Sequence, residues 1–134
     1  MLGEQIAKLK GKILGQRVLD VEGATMETTV AINGTYKGTQ VNETLTFVGT
    51  PTPTGVIHGE GKGIIMTVEG EMATYTGEAF GRITSSGGTS WRGSVFYSTQ
   101  SNGKIAFLNN LVGIFEVEID ADGNFLMTRG NGNK

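Results

Sequence analysis

Glu43 is the residue on which any chemistry of this chain would rest. It lies in the stretch Val41 to Val48, whose alternation sends Val41, Leu45 and Phe47 to the same face and Asn42, Thr44 and Thr46 to the other. A carboxylate on an apolar strand face must find a cation or hydrogen-bond donors. Failing that, desolvation raises its pKa, and it becomes able to act as a general acid or base. Glu43 is therefore the candidate catalytic residue. From Lys12 to Glu22 a strand-like pattern aligns Ile13, Leu19 and Val21 and sets Arg17 among them, so Arg17 is its expected partner and a candidate pocket residue.

The other chemistry-bearing residues are weaker candidates. His58 is the only histidine, and no serine and carboxylate are ordered around it as a nucleophile elbow would require. It is expected to be an exposed strand residue. The run His58-Gly-Glu-Gly-Lys-Gly63 is glycine-rich like a phosphate-cradling loop, but Ile64-Ile-Met-Thr-Val continues a strand where such a loop would open a helix. Asp120-Ala-Asp-Gly123 carries two acidic residues at calcium-loop spacing and lacks the remaining ligands. One histidine with scattered carboxylates has no metal-ligand spacing, so neither a metal nor a cofactor is expected. Tyr75, Trp91, Tyr97 and Phe115 fall on strand faces that point inward, where they would line an apolar pocket of about a few hundred Å³ with polar handles.

These residues are positioned by three long strands and their hairpins. In Val56 to Thr67, Ile57, Gly59, Gly61, Gly63 and Ile65 share one face, with His58, Glu60 and Lys62 on the other. A three-residue connection would set Gly63 opposite Gly77, Gly61 opposite Ala79 and Gly59 opposite Gly81. A two-residue Glu69-Gly70 turn would bring His58, Glu60 and Lys62 to the side of Tyr75. The first keeps the polar side chains in water and is preferred. Trp91, Gly93, Val95 and Tyr97 then lie opposite small residues, the large-beside-small arrangement of a filled barrel.

The remaining chain reads as further strands. Thr28, Val30 and Ile32 align before a turn placed at Lys37-Gly38 in preference to Asn33-Gly34. Thr50 to Gly55, which holds both prolines, is a loop. Ile105 to Leu108 reads as a short strand, Leu111 to Ile119 and Phe125 to Arg129 as the last two, and Gly130 to Lys134 as a frayed polar tail. Leu2, Ile6, Leu9 and Ile13 recur at helical spacing, which predicts a short amphipathic helix over Met1 to Lys10. Eight or nine strands at short spacing in one domain, residues 1–134, imply an all-β, closed antiparallel β-barrel of about eight strands with a short N-terminal helix or arm, the alternative being a flattened sandwich of the same strands.

Composition narrows the partners. There is no cysteine, which removes disulfides and thiolate chemistry, and the formal charge of -2 supplies no basic stripe for nucleic acid. No apolar run has the length of a membrane helix or the form of a signal peptide, so no membrane partner and a cytoplasmic location are expected.

Gly55-Val-Ile-His-Gly-Glu-Gly-Lys-Gly63, Tyr75-Thr-Gly-Glu-Ala-Phe-Gly81, Trp91-Arg-Gly-Ser-Val-Phe-Tyr97 and Leu108-Asn-Asn-Leu-Val-Gly-Ile-Phe115 together resemble the allene oxide cyclase-like barrels. That superfamily includes plant allene oxide cyclases, dirigent proteins and bacterial polyketide cyclases. The resemblance covers roughly residues 12–129 and lies in strands and glycines. It implies an eight-stranded barrel with an apolar cavity that binds, cyclises or isomerises a lipid-like or polyketide-like molecule, largely by holding it in a reactive conformation. The expected partner is thus a small hydrophobic ligand, with a second copy of the chain as a further one. The alternative is a non-catalytic structural or oligomerising barrel.

Overall fold

The computed structural model describes residues 2–132, and those residues form one closed barrel. Eight strands run β1 (Gln5–Asp20), β2 (Thr25–Tyr36), β3 (Thr39–Pro51), β4 (Ile57–Thr67), β5 (Met72–Ile83), β6 (Thr89–Thr99), β7 (Val112–Ile119) and β8 (Asn124–Gly130). Each pairs antiparallel with its neighbours in sequence, and β1 closes on β8. The loops after β1, β3, β5 and β7 gather at one end, called upper here. Both chain ends and the remaining loops lie at the lower end.

Short polar turns set this order. Four hairpins repeat one device, in which Thr52, Thr67, Thr84 or Asp120 opens a three-residue loop closed by Gly55, Gly70, Gly87 or Gly123. These glycines have φ of +86°, +93°, +92° and +85°. A left-handed closing residue lets a three-residue loop match the twist of the strands it joins, and glycine takes that conformation without steric cost. In three of the four, the opening side chain accepts the amide four residues on: Glu71 N–H to Thr67 at 3.0 Å, Gly88 to Thr84 at 3.1 Å and Asn124 to Asp120 at 2.9 Å. The Asp120 loop is thus a hairpin cap, and no metal-binding cluster of His, Cys, Asp or Glu occurs among the described residues.

The β2–β3 connection is the two-residue turn Lys37-Gly38, with φ of +47° and +84°, as its sequence predicts. The β4–β5 connection has three residues, also as expected, but is centred one residue earlier. Gly63 therefore faces Tyr75, Gly61 faces Gly77 and Gly59 faces Ala79. A slip of two preserves the faces, so His58, Glu60 and Lys62 stay outside.

Three local expectations fail. The N-terminal segment is not helical: β1 begins at Gln5 and is held between β2 and β8. A register shift at Gln5/Ala7 buries both Ile6 and Ala7, and this breaks the period of two into a helix-like spacing. Met1 lies outside the described residues. Ile105 to Leu108 forms a 3-10 turn (Ala106–Leu108), and Ile105 and Leu108 plug the lower end, both fully buried. Glu71 fastens this turn by accepting bonds from the Ser101 hydroxyl and the Ile105 amide. Those bonds hold the Glu71 carboxyl below its ordinary range. The tail expected from Gly130 is docked up to Gly132, where the Asn131 amide donates to the Glu4 carbonyl and the Glu4 amide to Asn131 Oδ1, both at 3.0 Å. Asn133 and Lys134 lie outside the described residues. No helix of the described residues is long and apolar enough to cross a membrane.

Candidate functional site

The barrel interior divides into two levels. On the lower one, five strands each send one polar side chain inward: Tyr36 from β2, Glu43 from β3, Tyr75 from β5, Tyr97 from β6 and Arg129 from β8. All are buried, Arg129 to 1% exposure and Glu43 to 3%. Arg129 Nη2 lies 2.7 Å from Glu43 Oε2 and Nη1 lies 3.4 Å from Oε1. Nη1 also donates to the Tyr36 hydroxyl and, at 3.1 Å, to that of Tyr97, and Nε donates to Met127 Sδ at 2.8 Å. Tyr75 donates to Glu43 Oε2 at 2.5 Å and Tyr36 to Oε1 at 3.2 Å. The guanidinium lies over the Tyr75 ring, 4.5 Å from its centroid.

Burial governs the electrostatics of this floor. It pushes the hydroxyls of Tyr36 and Tyr75 well above, and that of Tyr97 above, the ordinary phenol range; the Arg129 charge opposes the shift and the Glu43 charge adds to it. The tyrosines thus stay neutral hydrogen-bond donors. Burial by itself would lower the Arg129 pKa, but the Glu43 carboxylate and the surrounding hydroxyls reverse this, and the guanidinium is held charged.

Above the floor the walls are apolar. An inner cavity of about 60 Å³ is bounded by Leu45, Tyr75, Val95, Phe115, Val117 and Met127, with Arg129 beneath. Its roof is a pair of edge-to-face rings, Phe47 and Trp91, with centroids 5.5 Å apart. Trp91 sits on glycine: a Cβ on Gly59 or Gly81 would approach the indole to 2.8 or 2.5 Å. Its Nε1 donates to Thr89 Oγ1 at 2.9 Å. Beyond the rings a funnel of about 530 Å³ opens at the upper mouth, walled by Ile13, Met26, Ile57 and the β5–β6 and β7–β8 loops. Phe47, Trp91 and Ile119 line both spaces.

The predicted residues are distributed unevenly over this site. Glu43 points inward as expected, and Tyr75, Trp91 and Phe115 line the inner cavity. Tyr97 lies deeper, within the polar floor. Arg17 is not a pocket residue and not the partner of Glu43. Leu14 is an extra residue in β1 relative to β2, so the pattern of inward residues changes parity there. Gln16 then reaches inward to Thr28, and Arg17 points out, pairing with Glu27 at 3.3 Å. The true partner, Arg129, was marked by the alternation Phe125, Met127, Arg129 in the last strand, where it breaks an apolar face just as Glu43 does. His58 lies on the outer face, 3.1 Å from Glu78. The inner cavity is also far smaller than the pocket expected there, because glycines opposite aromatics are filled by rings. Tyr75 occupies the space over Gly63, where a Cβ would fall 2.3 Å from its ring.

The chain shares its fold with proteins of unknown function. A protein of unknown function from Clostridium acetobutylicum superimposes with a TM-score of 0.73 over 96% of this chain and 98% of its own, at 10% sequence identity. A conserved protein of unknown function from Rhodopseudomonas palustris gives 0.71 over 96% and 97%, also at 10% identity. No family model matches the sequence, and no curated protein is similar to it. At such identity the likeness concerns the fold alone.

Proposed function

We propose that the protein binds a small apolar molecule in the upper half of the barrel, with the mouth funnel as its entrance and the inner cavity as its innermost seat. The supporting observation is the shared wall: Phe47, Trp91 and Ile119 separate a funnel of ligand size from an apolar chamber by the thickness of two rings. Pockets of this kind, apolar with a few fixed polar groups, are the usual form of small-molecule sites. The pattern of strands and glycines that resembles allene oxide cyclase-like barrels supports the same proposal.

Within it, Glu43 belongs to the floor. Both of its oxygens are occupied, so it does not await a substrate proton, and the chemistry this arrangement supports is binding. Any cyclisation or isomerisation would come from confining a flexible molecule against the rings. Native mass spectrometry of protein purified from its own host should show a retained apolar ligand of defined mass, released on unfolding. Bare protein, with Trp91 emission unmoved by any apolar probe, would defeat the proposal.

A further inference from the structure

Resting on that proposed binding role, we infer the charge class of the ligand: the site takes uncharged apolar molecules and rejects those bearing a carboxylate. Among the described residues, Arg129 is the only cation that borders the inner cavity. Each of the three Arg129 nitrogens already donates, to Glu43, Tyr36, Tyr97 or Met127. No buried side-chain nitrogen or oxygen among the described residues lacks a partner. The Tyr75 hydroxyl, the other polar group at the cavity floor, is committed to Glu43.

A carboxylate reaching the floor would therefore meet a cation whose charge Glu43 already balances, with no more than the second N–H of Nη2 left to donate. To gain Arg129 it would have to displace Glu43, which would leave that carboxylate buried and uncompensated. Burying an unpaired carboxylate is among the costliest steps a binding site can take. Nor can the ligand's charge be met at the mouth, where the charged residues of the wall are Asp120 and Asp122. Of the basic side chains of the adjoining β1, the two nearest the mouth are engaged elsewhere, Lys12 with Asn124 and Arg17 with Glu27, and Lys8 and Lys10 lie farther down the strand. Glu78, which also borders the inner cavity, turns its carboxylate outward to His58.

Trp91 is the only tryptophan and forms the partition, so its emission reports occupancy directly. Titrations at mildly alkaline pH with matched probes, hexanol to decanol against hexanoate to decanoate, should show the alkanols perturbing Trp91 and the alkanoates binding at least about tenfold more weakly. Equal or tighter alkanoate binding would overturn the inference and leave the binding role standing. No response to either series would overturn both. The Glu43→Gln variant tests the cause: with Arg129 released, the alkanol preference should narrow at least about threefold. An unchanged preference in a variant with native near-UV dichroism would also overturn the argument, and if the variant fails to fold the wild-type ratio still decides it.

Discussion

Glu43 accepts two hydrogen bonds at each oxygen, from Tyr36 and Arg129 at Oε1 and from Tyr75 and Arg129 at Oε2. A carboxylate in that state is a structural counter-ion, and its removal is expected to act on stability. Glu43→Gln leaves the Arg129 cation buried without its counter-charge, a loss of about 3–5 kcal/mol. That is a large share of the roughly 5–15 kcal/mol by which domains of this kind are stable. Replacing both partners by apolar residues, Glu43→Leu with Arg129→Met, removes both charges together. What remains is chiefly a Tyr75 hydroxyl without its acceptor, a cost of about 1–3 kcal/mol. Urea denaturation should therefore show the double variant more stable than Glu43→Gln alone. Additive losses would mean that the two groups are not coupled across the barrel.

At the scale of elements, strand faces were legible wherever pairing is regular. In β3, β4, β5 and β6 the alternation in the sequence matches the inward and outward faces, and even the misplaced β4–β5 register kept every side chain on its side because the slip was even. β1 was not legible, for a local reason. Its extra residues near Ile6 and Leu14 change which residues point inward, and no residue type announces a bulge. Arg17 was misplaced by that shift, while Arg129, in a strand without one, stood on a readable face. The glycines carry a second message in their partners: small residues facing Trp91 and Tyr75 are seats for rings. Gly81→Ala should accordingly displace the indole, costing about 1–3 kcal/mol as overpacking does, and change Trp91 emission. Gly15→Ala, with open space around it, should stay within about 0.5 kcal/mol of wild type. Indistinguishable emission and stability for the two variants would contradict the seating of Trp91.

At the scale of the whole molecule, the polar floor joins β2, β3, β5, β6 and β8, so it ties together walls that the sheet connects only around the circumference. It also contains every tyrosine of the chain. Burial raises the pKa of all three, with the Glu43 charge contributing and the Arg129 charge opposing. In the unfolded chain they would ionise near ~10. The folded state therefore holds its phenolic protons more tightly than the unfolded state. Their stabilising effect is complete below about pH 10 and is lost as the pH climbs from there towards the folded-state values. Arg129, raised as well, shifts stability with the same sign but only above the ordinary arginine range, so the tyrosines govern the onset of the loss. Spectrophotometric titration should consequently show almost no phenolate while the far-UV dichroism is native, followed by all three tyrosines ionising in one step with unfolding. Gradual ionisation centred near ~10 with the barrel intact would mean that water and hydroxide reach the hydroxyls. The floor would then be open, and the sealed, charge-neutral base on which the selection of uncharged ligands depends would be lost with it.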